Sequence, residues 1–171
     1  MNQAIVVMGV SGCGKSTVAA LIAGRLGWPL GEADDLHPAA NVAKMSNGIP
    51  LTDDDRRPWL TEVRAWIDAQ DGDCVLTCSA LKRSYRDLLR QAGVRVRFVH
   101  LHGDTEQLAL RLASRTGHFM PLSLLESQLS TLEPLQADED GIVVRINAEP
   151  AHIADVSIQQ LGLGIQSFPA S

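Results

Sequence analysis

"AIVVMGVSGCGKST" (residues 4–17) runs an apolar strand into a glycine-rich turn that closes on a lysine and two hydroxyls. Within it, Gly9 to Ser16 satisfies G-x₄-G-K-[ST], directly after a strand and directly before a helix, the context this motif needs. Its glycines let backbone N–H groups turn inward around phosphates, and the N-terminus of the following helix adds partial positive charge. Lys15 is placed to bridge β- and γ-phosphates, and Ser16 to ligate Mg²⁺. The contacting set is therefore Gly9, Val10, Ser11, Gly12, Cys13, Gly14, Lys15, Ser16 and Thr17, for a nucleoside triphosphate with its magnesium.

Outward from the loop, short apolar runs alternate with helical patterns, the signature of a parallel sheet flanked by helices. Residues 4–9 read as a buried first strand and 15–26 as a helix that Gly27 ends. Further strands are expected at 28–34, 74–80, 96–102 and 141–148. Helices are expected at 58–70, 81–92, 104–115, 121–132 and 150–161, with Pro58 in the first turn of its helix. Repeats, low-complexity tracts and linkers are missing, so residues 1–171 read as one α/β domain. The stretch of about 35–58, interrupted by Gly48 and Pro50, falls between strands two and three and suits an acceptor-binding insertion.

A nucleotide hydrolase with this loop usually carries an aspartate at the end of a neighbouring strand. Here strand three reads "CVLTCSALK" without an acid, and no N-K-x-D run for guanine is present. The acids instead gather in "EADDLHPAANVAKM" (32–45), at the C-terminal end of strand two, the end that faces the ligand crevice in an open α/β sheet. A carboxylate there can approach the metal and also reach an acceptor hydroxyl. Phosphoryl transfer to an alcohol needs the hydroxyl in line with the γ-phosphate and a group to accept its proton. Asp34 is the candidate for that role and, with Ser16, for the metal; Asp35 is a candidate helix cap. His37 and Lys44 are seven residues apart, two helical turns, and so share one helix face.

Only three lysines occur, Lys15, Lys44 and Lys82, against twelve arginines. Two of them open elements that border the crevice, and with Arg56, Arg83 and Arg86 they would form a cationic pocket for a small anionic acceptor. Arg111 and Arg115 are i, i+4 on one helical face, followed by a Thr-Gly break and a second helix. Residues of about 111–135 therefore read as a lid that closes over the nucleotide, excludes water and brings positive charge to the transferring group.

A net charge of −5 argues against non-specific binding to nucleic acid or an anionic membrane. No apolar run reaches the length of a membrane span, and the first twelve residues lack the basic start of a leader. Cys13, Cys74 and Cys78 fit no even disulfide framework, and C-x₃-C inside an apolar run reads as buried strand rather than zinc. A reducing cytoplasm is the expected setting. Trp59 and Trp66, seven apart, read as core rather than interface, leaving a homodimer without a visible sequence signal.

Four stretches, "GVSGCGKST", "ADDLHPAANVAKMSNGIPLTDDDRRPWL", "CSALKRSYRDLLR" and "RTGHFMPLSLLESQLSTLEPL", resemble the small bacterial and eukaryotic gluconokinases, relatives of shikimate kinase and the nucleoside-monophosphate kinases. The second and fourth are far more specific than a phosphate loop. The resemblance implies a P-loop kinase fold with a five-stranded parallel sheet in the order 2-3-1-4-5. It also implies an ATP- and Mg²⁺-dependent kinase acting on the 6-hydroxyl of D-gluconate, within a family whose folds are often dimeric. Matched by position, Asp34, His37, Lys44, Arg56 and Lys82 line the acceptor site, while Arg115 and His118 belong to the lid. By analogy with shikimate kinase, Arg111 stacks on adenine opposite residues 147–150.

Overall fold

A computed structural model describes residues 2–113 and 122–164. The sheet is built from β1 (Gln3–Met8), β2 (Leu30–Glu32), β3 (Cys74–Thr77), β4 (Arg95–His102) and β5 (Gly141–Arg145), all parallel, in the order β2-β3-β1-β4-β5. Both faces of the central strands are covered, so β1 from Ala4 onward and all of β3 are buried at every position rather than alternating. Odd residues of β1 and β4 (Ile5, Val7, Val99, Leu101) pack beneath α1 (Lys15–Leu26), α5 (Thr105–Ala113), α6 (Leu122–Thr131) and α7 (Pro150–Gln160). Even residues (Ala4, Val6, Met8, Val96, Phe98) pack beneath α3 (Asp53–Asp68) and α4 (Arg83–Leu89). A short helix, α2 (Ala39–Ser46), precedes α3.

Helix α1 begins and ends where its sequence pattern predicts, with Gly27 closing it in the left-handed conformation (φ 70°) and donating to the Ala23 carbonyl. Two other expectations are corrected. Helix α3 starts at Asp53, five residues before Pro58, which lies inside it. The cause is a capping box: Thr52 Oγ1 accepts from Asp55 N–H at 3.1 Å while Asp55 Oδ2 accepts from Thr52 N–H at 2.9 Å. Asp53, Asp54 and Asp55 then sit in the first turn, where negative charge suits the helix dipole. These contributions outweigh the one backbone bond that Pro58 cannot make.

Strand β2 spans only three of the seven residues expected. It is an edge strand paired with β3 alone, and Trp59 Nε1 takes the Ala33 carbonyl at 2.7 Å just where the chain leaves the sheet. Residues Ala33–Leu36 turn instead into a 3₁₀ helix. Both tryptophans belong to the interior as expected: Trp59 is buried, and Trp66 packs on the same cluster. The cysteines Cys13, Cys74 and Cys78 are all buried and free, and burial pushes the Cys74 thiol up to about 11.

His100 shares the face of Phe98 and is buried, with no hydrogen-bond partner for Nδ1 among the described residues. Burial first, then His102 and Arg86, lowers its pKa to about 4. The folded chain therefore stays unprotonated at His100 down to about pH 4, while the unfolded chain takes the proton near the ordinary value of about 6.5. No penalty exists above pH 6.5, and one of up to about 3 kcal/mol develops as pH falls towards 4. Urea midpoints at pH 7 and 4.5 should accordingly fall less for His100→Phe than for the parent. Equal falls would show that His100 does not set this slope.

Candidate active site

The phosphate loop lies between β1 and α1, with Gly9, Gly12 and Gly14 at positive φ (143°, 87° and 88°), conformations that a side chain at these positions would strain. Lys15 Nζ is held across the loop by the Gly9 and Val10 carbonyls at 2.9 and 3.2 Å. Arg111 lies beside the loop's other end: NH2 donates to the Ile146 carbonyl at 2.7 Å, and a Cβ on Gly14 would stand 3.4 Å from NH1. Arg111 thus contacts Ile146, the residue just before the 147–150 segment.

The carboxylate that meets Ser16 is Glu32, not Asp34. Glu32 Oε2 accepts from Ser16 Oγ at 3.3 Å and from Thr77 Oγ1, the last residue of β3. Thr77 thereby ties the acid of an edge strand to the middle of the sheet. A hydroxyl beside a carboxylate is a hard-oxygen pair that fits Mg²⁺, which binds through one or two protein groups plus phosphate oxygens and water. No group of three or more His, Cys, Asp or Glu side chains placed to hold a metal ion exists among the described residues. Asp34 and Asp35 are both exposed in the 3₁₀ turn. Asp35 does not cap α2, whose N-cap is Pro38 without a side-chain bond.

The N-terminus of α3, which the sequence reading placed inside the insertion ahead of a helix at 58–70, gathers most of the residues expected to line an acceptor. Asp55 holds Lys44 Nζ with both oxygens (2.9 and 2.8 Å), and Lys44 first, then Thr52, brings its carboxyl down to about 2. Asp53 accepts from Tyr85 OH at 2.5 Å and Lys82 Nζ at 3.1 Å, which lowers its pKa and raises that of Lys82. Arg56 NH1 donates to the Leu51 carbonyl at 2.9 Å and the Tyr85 hydroxyl at 3.1 Å. Arg56 and Lys82 both lie over the Tyr85 ring, 5.5 and 5.7 Å from its centroid. The two lysines are neutralised by aspartates, whereas Arg56 forms no ion pair among the described residues.

His37 sits just ahead of α2 rather than on it, stacked on Trp59 with centroids 4.1 Å apart. Asn41 Nδ2 donates to the Asp55 carbonyl at 3.0 Å and lies 3.2 Å from His37 Nδ1. Nδ1 therefore accepts, and the ring proton is on Nε2. Burial lowers the His37 pKa, with Asp34 opposing and Arg56 assisting, so the ring is neutral near pH 7. His37 precedes α2, so it does not share that helix face with Lys44; the two are linked instead through Asn41 and Asp55.

Two expected members of the cationic pocket have other work. Arg86 is fully buried and bonds Glu139 twice (2.8 and 3.1 Å) and the Ala80 carbonyl at 2.8 Å. Arg83 is fixed outward on Asp138 and Gln136. Arg115 and His118 lie outside the described residues, as does the turn of the expected lid. Asp53, Asp55, Asn41 and Tyr85 were missed. Thr-x-x-Asp at 52–55 was the available signal, because a capping box marks a helix start.

Taken together, a phosphate loop, a hydroxyl–carboxylate pair beside it and a cluster of charged and polar side chains at the C-terminal edge of one parallel sheet define a P-loop phosphotransferase of small molecules. Residues 5–135 match the family described as AAA domain. The gluconokinase of Gluconobacter oxydans 621H is 53% identical over 160 residues, covering 92% of this chain and 88% of its own. The thermosensitive gluconokinase of Escherichia coli K12 is 42% identical, covering 90% and 84%. Among solved structures, a gluconokinase from Sinorhizobium meliloti 1021 superposes with a TM-score of 0.88 at 48% identity, covering 94% and 92%. The chain belongs to the gluconokinase family.

Proposed function

We propose that this chain transfers the terminal phosphoryl group of ATP to the 6-hydroxyl of D-gluconate in one in-line step. The bond from the acceptor oxygen to phosphorus forms as the bond to the ADP oxygen breaks, and the hydroxyl proton goes to Asp34. The observation that carries the acceptor class is the charge balance around Tyr85: Asp55 and Asp53 cancel Lys44 and Lys82, so Arg56 supplies one net positive charge for one carboxylate. The lysine–aspartate pairs retain donors and acceptors suited to the hydroxyls of an open-chain polyol acid.

Asp34, Lys15 and Arg115 are assigned to the reacting groups, and His37, Lys44, Lys82 and His118 to the acceptor alongside Arg56. Ser16 and Glu32 would hold the metal, leaving Asp34 for the proton. Held there, Mg²⁺ would supply neutralising charge to the phosphates. One domain, with its acceptor segment at about 35–58 and its lid at about 111–135, would exclude water and so suppress hydrolysis.

ATP turnover with and without gluconate tests this reading: strong gluconate dependence with a 6-phosphorylated product supports it, and hydrolysis indifferent to sugar acids overturns it. Arg56→Gln should raise KM for gluconate about tenfold or more while KM for ATP holds, since a charge-assisted bond is lost. An unchanged gluconate KM would remove Arg56 as the carboxylate reader.

A further inference from the structure

Ser11 N–H, at the tip of the phosphate loop, donates to Oε1 of Gln128 on α6 at 2.7 Å, across 117 positions of sequence. On its other side the tip leans on α5, since a Cβ on Gly12 would meet Leu112 Cγ at 3.0 Å and the Leu108 carbonyl at 3.2 Å. The helices that flank residues 114–121 therefore both reach the same two-residue stretch. Which end of the nucleotide that stretch serves follows from its neighbours. Lys15, the group for β- and γ-phosphates, touches the carbonyls of Gly9 and Val10, immediately before Ser11. Arg111 and Ile146 mark the opposite end of the loop, beside Gly14.

A carboxamide is planar, so fixing Oε1 also fixes its donor, about 2.2 Å away by covalent geometry. Gln128 is half-buried, and its Nε2 makes no hydrogen bond to a described residue. We propose that Gln128 reads the terminal phosphoryl group of the bound nucleotide: Ser11 N–H holds its oxygen, and Nε2–H donates to a γ-phosphoryl oxygen. An uncharged donor at this point helps distinguish triphosphate from diphosphate and releases the diphosphate once transfer has removed its partner. It also makes α6, the helix that follows residues 114–121, respond to the state of the nucleotide.

Direct titration of Gln128→Glu and Gln128→Ala with Mg·ATP and Mg·ADP, without any sugar acid, tests this independently of the acceptor assignment. Glutamate keeps an oxygen for Ser11 N–H but turns a carboxylate oxygen towards the phosphoryl group. ATP affinity should fall about tenfold to a hundredfold in Gln128→Glu, and less in Gln128→Ala, with ADP affinity held in both. Retained ADP binding also reports that each variant is folded. Parental ATP affinity in Gln128→Glu, or equal weakening of ATP and ADP in either variant, would show that Gln128 only tethers the loop and would overturn the assignment.

Discussion

Asp34→Asn should lower kcat by about 10²–10⁴ while ATP affinity stays within a few-fold of the parent. Asparagine matches aspartate in shape but cannot take the hydroxyl proton, so alignment survives and proton transfer does not. ATP affinity is expected to hold because the carboxylate against Ser16 is Glu32, which leaves Asp34 out of the triphosphate cradle. Asp34 lies one residue past the covered Ala33 at the C-terminal edge of the sheet, close enough to His37 for its charge to oppose the lowering of that ring's pKa by burial. Asp35→Asn is the control, with kcat expected to stay near the parent's. Steady-state rates with saturating gluconate, together with direct ATP titration, decide the matter. If Asp34→Asn keeps its rate and Asp35→Asn loses it, the base is the neighbouring residue.

Arg86→Ala should cost about 3–5 kcal/mol of stability, a fall in Tm of roughly 6–20 °C for a chain of this size. Arg86 and Glu139 both have fully buried side chains and meet through two hydrogen bonds. Removing the arginine strands a carboxylate in the interior and leaves the Ala80 carbonyl without its donor. Ala80 itself takes a positive φ of 45°, unusual for a residue with a side chain, three residues past the end of β3. The Arg86 fork is therefore a local scaffold for the loop that leads to Lys82. Replacing both partners together, as Arg86→Met with Glu139→Gln, should recover much of the loss, because no buried charge is then unpaired. Thermal melts of the single and double variants check this, and a single variant that melts with the parent would contradict it.

Local signals made most of the framework readable. The loop from Gly9 to Ser16, the helix from Lys15 to Leu26 and the apolar runs of β1, β3, β4 and β5 each rest on neighbours in the chain, where periodicity and glycine placement act directly. The start of α3 was misread because Pro58 looked like a first-turn residue, whereas the capping box at 52–55 starts the helix at Asp53, five residues before it. The role of Arg86 was also beyond local reach. A basic residue in "SYRDLL" looks like pocket charge until Glu139, 53 positions on, folds against it.

What the chain determined by itself is the phosphate cradle, the alternation of strand and helix, and the set of polar residues between β2 and α3 available for an acceptor. These follow from short-range backbone sterics and from hydrophobic patterning, which need no distant partner. Tertiary structure decided the allocation of charge: which lysines are cancelled by Asp53 and Asp55, that Glu32 rather than Asp34 meets Ser16, and that Gln128 reaches Ser11. Such pairings depend on distances across the fold, and the strength of an ion pair or hydrogen bond is set by those distances and by burial, neither of which is written along the sequence.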